Sequence, residues 1–132
     1  MNKTLKIIAG IAFSVLVSSC ASTAKFPVSS VTPAAQIKAT KKLDKQKNYK
    51  ITVTAENLAS ADRLTPPKHN YVLWIMTKDG IKNLGQLQHK NAKKSTLTTV
   101  TPFNPTEVIL TAEDAGNISY PEGIEISRAE FE

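Results

Sequence analysis

The chain has 132 residues, enough for one domain, with 17 basic and 11 acidic side chains and a formal charge of +6. A single cysteine excludes an internal disulfide framework, and two histidines leave few ligands for a metal centre. The fold must therefore hold by packing, which a domain of ~100 residues achieves by burying roughly 60–70% of its unfolded surface.

The N-terminus has a different composition from the rest. Lys3 and Lys6 give it a basic start, and Ile7 to Val17 is an apolar run interrupted only by Gly10 and Ser14. Ser18 and Ser19 are small, and Cys20 follows. This is the charged, apolar and small-residue order of an exported leader. The apolar run is shorter than the ~20 residues of a spanning helix. Val17-Ser18-Ser19-Cys20 resembles the bacterial lipobox, an aliphatic residue and two small residues before cysteine. That resemblance implies a lipoprotein signal peptide over residues 1–19, a diacylglyceryl group on the Cys20 thiol, cleavage before Cys20 and acylation of its new amine. Each buried CH₂ contributes ~0.8 kcal/mol, so one acyl chain holds marginally and two or three hold durably. The alternative is an ordinary secretory leader with an incidental cysteine; the position of the only cysteine favours the lipobox. From Cys20 to Glu132 the chain keeps 113 residues and a charge of +4. Ala21 in place of aspartate points to the outer rather than the inner membrane of a Gram-negative envelope.

Residues 20–34 are rich in Ser, Thr, Ala and Pro without periodicity and read as the lipidated cysteine and a flexible tether. An edge strand is the other reading of this segment. From Ala35 the pattern turns to period two. Ala35, Ile37 and Ala39 alternate with Gln36, Lys38 and Thr40; Lys41 breaks the alternation and Leu43 resumes it. After the polar turn Asp44–Asn48, Tyr49, Ile51, Val53 and Ala55 alternate with Lys50, Thr52, Thr54 and Glu56, giving a hairpin with one wet face. Asn57 to Asn70, with Pro66-Pro67, is a loop. Tyr71 to Met76 is apolar throughout and reads as a central strand covered on both faces. Lys78-Asp79-Gly80 is a turn, Ile81 to Gln88 a return strand with Gly85 as its bulge, and His89 to Lys94 a basic connection. Thr96–Thr101, Glu107–Ala112 and Gly123–Ser127 supply the remaining strands, with turns and a brief Ile118-Ser119-Tyr120 segment before the last. About seven short strands at this spacing predict an all-β, Ig-like antiparallel sandwich over residues 35–132.

Five pieces from Tyr71 onward carry a family resemblance. Tyr71-Val72-Leu73-Trp74-Ile75 precedes Asp79-Gly80, then Leu84-Gly85-Gln86-Leu87, then Val108 to Asn117, then Tyr120-Pro121-Glu122-Gly123. In this order residues ~48–127 resemble the C-terminal extracytoplasmic domain of anti-sigma-K factors. The resemblance implies a β-sandwich acting outside the cell membrane. The family's membrane helix and cytosolic sigma-binding segment have no counterpart in the sequence, where Met1 to Lys6 precede the apolar run. The expectation is therefore an outer sensory or structural module, with no direct sigma-factor contact and no binding residue carried over.

Catalytic patterns are weak. His69 and His89 are twenty apart in polar segments, and Glu113-Asp114-Ala115-Gly116-Asn117 lacks the alternating ligands and distal glutamate of a calcium loop. No Gly-x-Ser-x-Gly occurs, and nothing selects a pair among the eleven carboxylates. The expectation is a non-enzyme without metal or cofactor. Lys38, Lys41, Lys42, Lys45, Lys47 and Lys50, with Asp44 among them, form either a solvated hairpin or a surface for anionic headgroups or polysaccharide. Without interleaved aromatics, and on an exported chain, nucleic acid is not expected. Trp74, in a strand apolar on both sides, reads first as core. Tyr71, Trp74 and Tyr120 are the candidate ligand-binding face. The sequence thus predicts a lipid-anchored sensing or protein-interaction module of the bacterial envelope; the alternative is a ligand- or carbohydrate-binding lipoprotein.

Overall fold

The structure, a computed structural model, describes residues 21–132; the leader and Cys20 lie outside the described residues. Two antiparallel sheets pack face to face. One has five strands in the order β1 (Ala21–Lys25), β2 (Gln36–Leu43), β3 (Tyr49–Glu56), β7 (Lys94–Thr101), β6 (Gln88–Asn91). The other has four, in the order β5 (Gly80–Gln86), β4 (Asn70–Thr77), β8 (Glu107–Glu113), β9 (Ile124–Glu130). Setting β1 aside, the orders β2-β3-β7-β6 and β5-β4-β8-β9 correspond to A-B-E-D and C′-C-F-G of the immunoglobulin-type sandwich. The expected all-β sandwich is the observed fold, with nine strands among the described residues rather than about seven.

The two additional strands are edges. β1 pairs with β2 from Ala21↔Lys42 to Lys25↔Lys38, and buries Ala24. Residues 21–25 are therefore part of the sheet, which corrects the reading of 20–34 as a tether. Backbone pairing and one small buried side chain suffice to hold the strand. The following loop is held too. Ser29 Oγ accepts from the Val31 and Thr32 amides, and Ser127 Oγ donates to the Pro27 carbonyl at 3.0 Å. β6 takes Gln88 from the end of the expected return strand and His89 to Asn91 from the expected connection; its four side chains are all exposed, so only its pairing with β7 marks it.

Between the sheets, period two delivers the core. Ile37 and Ala39 from β2, Ile51, Val53 and Ala55 from β3 meet Tyr71, Leu73 and Ile75 from β4, and Val108, Leu110 and Ala112 from β8. Lys41 keeps this alternation rather than breaking it. It lies opposite Ile51 on the inward side at the open end of the sandwich, and donates to Asn104 Oδ1 at 3.0 Å and to the Pro105 carbonyl at 2.9 Å. Its ammonium stands over the Phe131 and Tyr49 rings, and burial lowers its pKa. Gly85, at φ 127°, supplies the left-handed residue at the β4–β5 bulge beside Leu73.

β4 also buries its other face. Val72 and Trp74 form a second cluster with Ile109, covered by Ile81 and Ile118. The cover is the 114–123 loop. Asn83 Nδ2 donates to the Gly116 and Ile118 carbonyls, both at 2.9 Å. At the other end of the loop, Glu113, 1% exposed, accepts from the Glu122 amide at 3.1 Å and from Thr111 Oγ1 at 2.6 Å. Thr111 in turn accepts from Trp74 Nε1 at 2.8 Å. A Cβ at Gly123 would lie 2.0 Å from the Ala112 carbonyl oxygen, so only glycine lets the loop return this close to β8.

Thr111→Val is near-isosteric, yet it leaves the Trp74 indole N–H without a partner and removes a donor from the Glu113 carboxylate. The expected cost is ~1–3 kcal/mol, with Trp74 remaining buried. Urea unfolding followed by tryptophan fluorescence measures it. An unchanged midpoint would show that the chain of bonds contributes nothing.

Candidate functional site

The outward faces of the two sheets differ. On the four-stranded sheet the central strands are sealed by the 114–123 loop. On the five-stranded sheet the outward residues form rows that cross the strands in register. One row reads Ala21, Lys42, Lys50, Val100; the next Thr23, Thr40, Thr52, Thr98; the third Lys25, Lys38, Thr54, Thr96, Gln88. Past these, Gln36, Glu56 and Lys94 stand opposite one another. Lys25, Lys38, Lys42, Lys50 and Lys94 thus share one face with a single carboxylate, Glu56. None of them is in an ion pair among the described residues.

At the Lys25 end the face becomes concave. The β1–β2 loop rises over it, bringing Phe26 and Val28 beside Lys25, Lys38 and Lys94 around a groove of about 560 Å³. Val28 is exposed, whereas Phe26 also packs on the core. The groove is lined by three ammonium groups, one carboxylate (Glu56, directly opposite Lys94), one amide (Gln36), one hydroxyl (Thr54) and an apolar wall, so its charge is positive by excess of lysine over glutamate.

The candidate aromatic face is not a face. Tyr71 is 4% exposed and points into the main core, where its hydroxyl donates to the Ala59 carbonyl. Trp74 is fully buried on the opposite side of the same strand. Tyr120 is 68% exposed, beside Ile81 and Ser119. Three residues of separation on a strand put Tyr71 and Trp74 on opposite sides, so the trio cannot grip one ligand. Burial, with the nearby Asp62 charge, pushes the Tyr71 hydroxyl up to about 12.

Other groups hold structural places. His69 lies 3.7 Å from Asp114, which also meets Lys68. His89 is in β6, its Nδ1 2.9 Å from Ser95 Oγ. Glu113 belongs to the loop clamp. Among the described residues no group of three His, Cys, Asp or Glu side chains is placed to hold a metal ion. Of the basic run, Lys38, Lys42 and Lys50 lie on the outward face, Lys41 is engaged inward, and Lys45 and Lys47 sit in the hairpin turn, where Asp44 accepts from the Gln46 and Asn48 amides. Comparison with family profiles, with curated proteins and with solved structures gives no match.

The raised Tyr71 pKa has a directional consequence. The unfolded chain ionises this hydroxyl near its ordinary value of 10 and the folded chain only near 12. Its contribution is fully present below pH 10 and is lost between pH 10 and 12. Tyr71→Phe is expected to cost ~1 kcal/mol at pH 7 by losing the bond to Ala59, and to flatten the alkaline fall in stability. Urea midpoints from pH 7 to 11 check both; parallel alkaline limbs for the two proteins would refute the assignment.

Proposed function

We propose that this chain is a non-enzymatic, lipid-anchored protein of the bacterial envelope whose sandwich works as a binding module. The observation that carries the reading is the junction of sequence and fold: the lipobox-like Val17-Ser18-Ser19-Cys20 ends where β1 begins, at Ala21. A lipid on Cys20 would hold the sheet itself, with no intervening tether, and the outward basic face would stand in a fixed orientation to the membrane. The outer membrane is the proposed site of attachment, since Ala21 follows the cysteine.

The likeness to the outer domain of anti-sigma-K factors supports a sensing or protein-interaction role of the same kind. The segments that carry the likeness include β4, β5 and β8, and the immunoglobulin-type strand order suits such a domain. A lipid anchor does not cross the bilayer, so contact with a sigma factor in the cytosol is not part of the proposal.

Replacing Cys20 by alanine in the full chain is expected to abolish acylation and leader cleavage, visible as a heavier polypeptide that keeps its apolar leader and carries no lipid. Intact-mass measurement of the native protein should show a diacylglyceryl addition at Cys20. A native chain with an unmodified thiol would refute the anchor.

A further inference from the structure

The outward face of the five-stranded sheet carries an arrangement that costs energy when nothing is bound. Lys25 lies directly opposite Lys38, and Lys42 directly opposite Lys50. Directly opposed residues have Cβ atoms ~5 Å apart, and like charges there are destabilising. Two such pairs occur, with no acidic neighbour in either row. Between them runs the uncharged row Thr23, Thr40, Thr52, Thr98, four hydroxyls on four adjacent strands. Adjacent strands are ~4.8 Å apart, and the two lysine pairs, four residues apart along the strands, are separated by ~13 Å.

We infer that this face binds a linear anionic polysaccharide, a glycan bearing carboxylate or phosphate groups along its length. Spaced anions would neutralise the two lysine pairs, and sugar hydroxyls between them would exchange hydrogen bonds with the threonine row. The groove beneath the β1–β2 loop takes one end of the bound segment. There Lys94 stands beside Lys25 and Lys38 but directly opposite Glu56, which offsets its charge and can accept from a sugar hydroxyl, so the anion falls to Lys25 and Lys38; Gln36 and Thr54 supply donors and acceptors, and Phe26 with Val28 offers an apolar wall to a sugar ring. A recessed site admits a polymer strand and not the plane of a bilayer. The row Gln36, Glu56, Lys94 also stands six residues, or ~20 Å, along β2 from the Ala21 end, away from a membrane at Cys20. Only this last point rests on the anchoring proposal; the charge and hydroxyl pattern stands without it.

The test uses the lipid-free chain from residue 20 to 132 with Cys20→Ser, which contains all nine strands and the whole described core. Calorimetric titration with polygalacturonate and with dextran sulfate should show binding that weakens as salt rises, and titration with neutral dextran should show none. The Lys25→Gln/Lys38→Gln variant should bind at least tenfold more weakly. Thr40→Val/Thr52→Val, which keeps every charge, should lose about threefold, and Lys45→Gln/Lys78→Gln, off the face, should bind as the parent does. Circular dichroism and urea midpoints confirm that each variant folds. The inference is overturned if the folded parent binds neither polyanion, or if the Lys45/Lys78 variant loses as much as the Lys25/Lys38 variant. It is equally overturned if phosphatidylglycerol vesicles bind in a Lys25- and Lys38-dependent way while the polysaccharides do not. Because the protein is lipid-free, an unmodified native Cys20 would leave this result intact, so the two proposals fail separately.

Discussion

The fold depends on a strand with no polar side. β4 is apolar from Tyr71 to Met76, and a two-sheet sandwich covers only one of its faces. The other face exposes Val72 and the largest side chain in the protein, Trp74, unless something is laid over it. The 114–123 loop does this, and its hold is polar rather than apolar. Asn83 fixes the middle of the loop through two carbonyls, and Glu113 fixes its end. Glu113 could not be buried alone, since an unpaired carboxylate away from water is prohibitively costly. It is tolerated because the Thr111 hydroxyl and the Glu122 amide point at it. The same threonine satisfies the indole nitrogen, so one hydrogen-bonded chain closes the apolar cluster and the loop together.

This seal makes the two sheets functionally unequal. The four-stranded sheet spends its outward centre on its own loop, with recesses at the loop's margins around Ile81 and Tyr120 and around Lys68 and Asp114. The five-stranded sheet has no such cover. Its outward residues are mostly short hydroxyls and long ammonium groups, with Val100 an exposed apolar exception, and the polar majority stays hydrated and needs no lid. A flat polar sheet with both edges exposed also risks pairing with another sheet, and lysine on edge strand β1 and on β2 works against that. Aggregation control explains one lysine per strand. It does not explain two pairs of lysines set directly opposite one another, which is why the arrangement is read as a binding surface.

The central strands were legible in the sequence because burial wrote them there. Period two in Ile37 to Ala39 and in Ile51 to Ala55, and the unbroken run at Tyr71, follow from one face or two being dry. The edges were not legible. β1 buries only Ala24, and β6 buries nothing, so pairing of backbone groups holds them and leaves almost no trace in side-chain choice. Lys41 misled for a related reason. Its position is inward, but at the open end of the sandwich a long stem can cross the core margin and place its charge on carbonyl oxygens. The aromatic trio could have been dismissed by parity alone, since Tyr71 and Trp74 are an odd number of residues apart on one strand. The lysine and threonine rows were visible as a wet face, but register between β2, β3 and β7 is set by turns and loops, and no single strand reveals it.

Finding β1 in the sheet changes the mechanics of any attachment at residue 20. A flexible segment of some fourteen residues would let the domain wander ~20 Å from its anchor and present every face to the membrane in turn. An edge strand paired over five residues allows no such freedom. The Ala21 end of the sheet would stay low, together with Lys42, Lys50 and the exposed Leu43 and Val100. The groove at the Lys25 end would stay high. Headgroup attraction and glycan binding would then be compatible accounts of one face: lipid charge would be felt most by the Lys42–Lys50 pair, while Lys25 and Lys38 would stand beyond a Debye length of ~8–10 Å, and a polymer lying along the sheet would still reach both pairs.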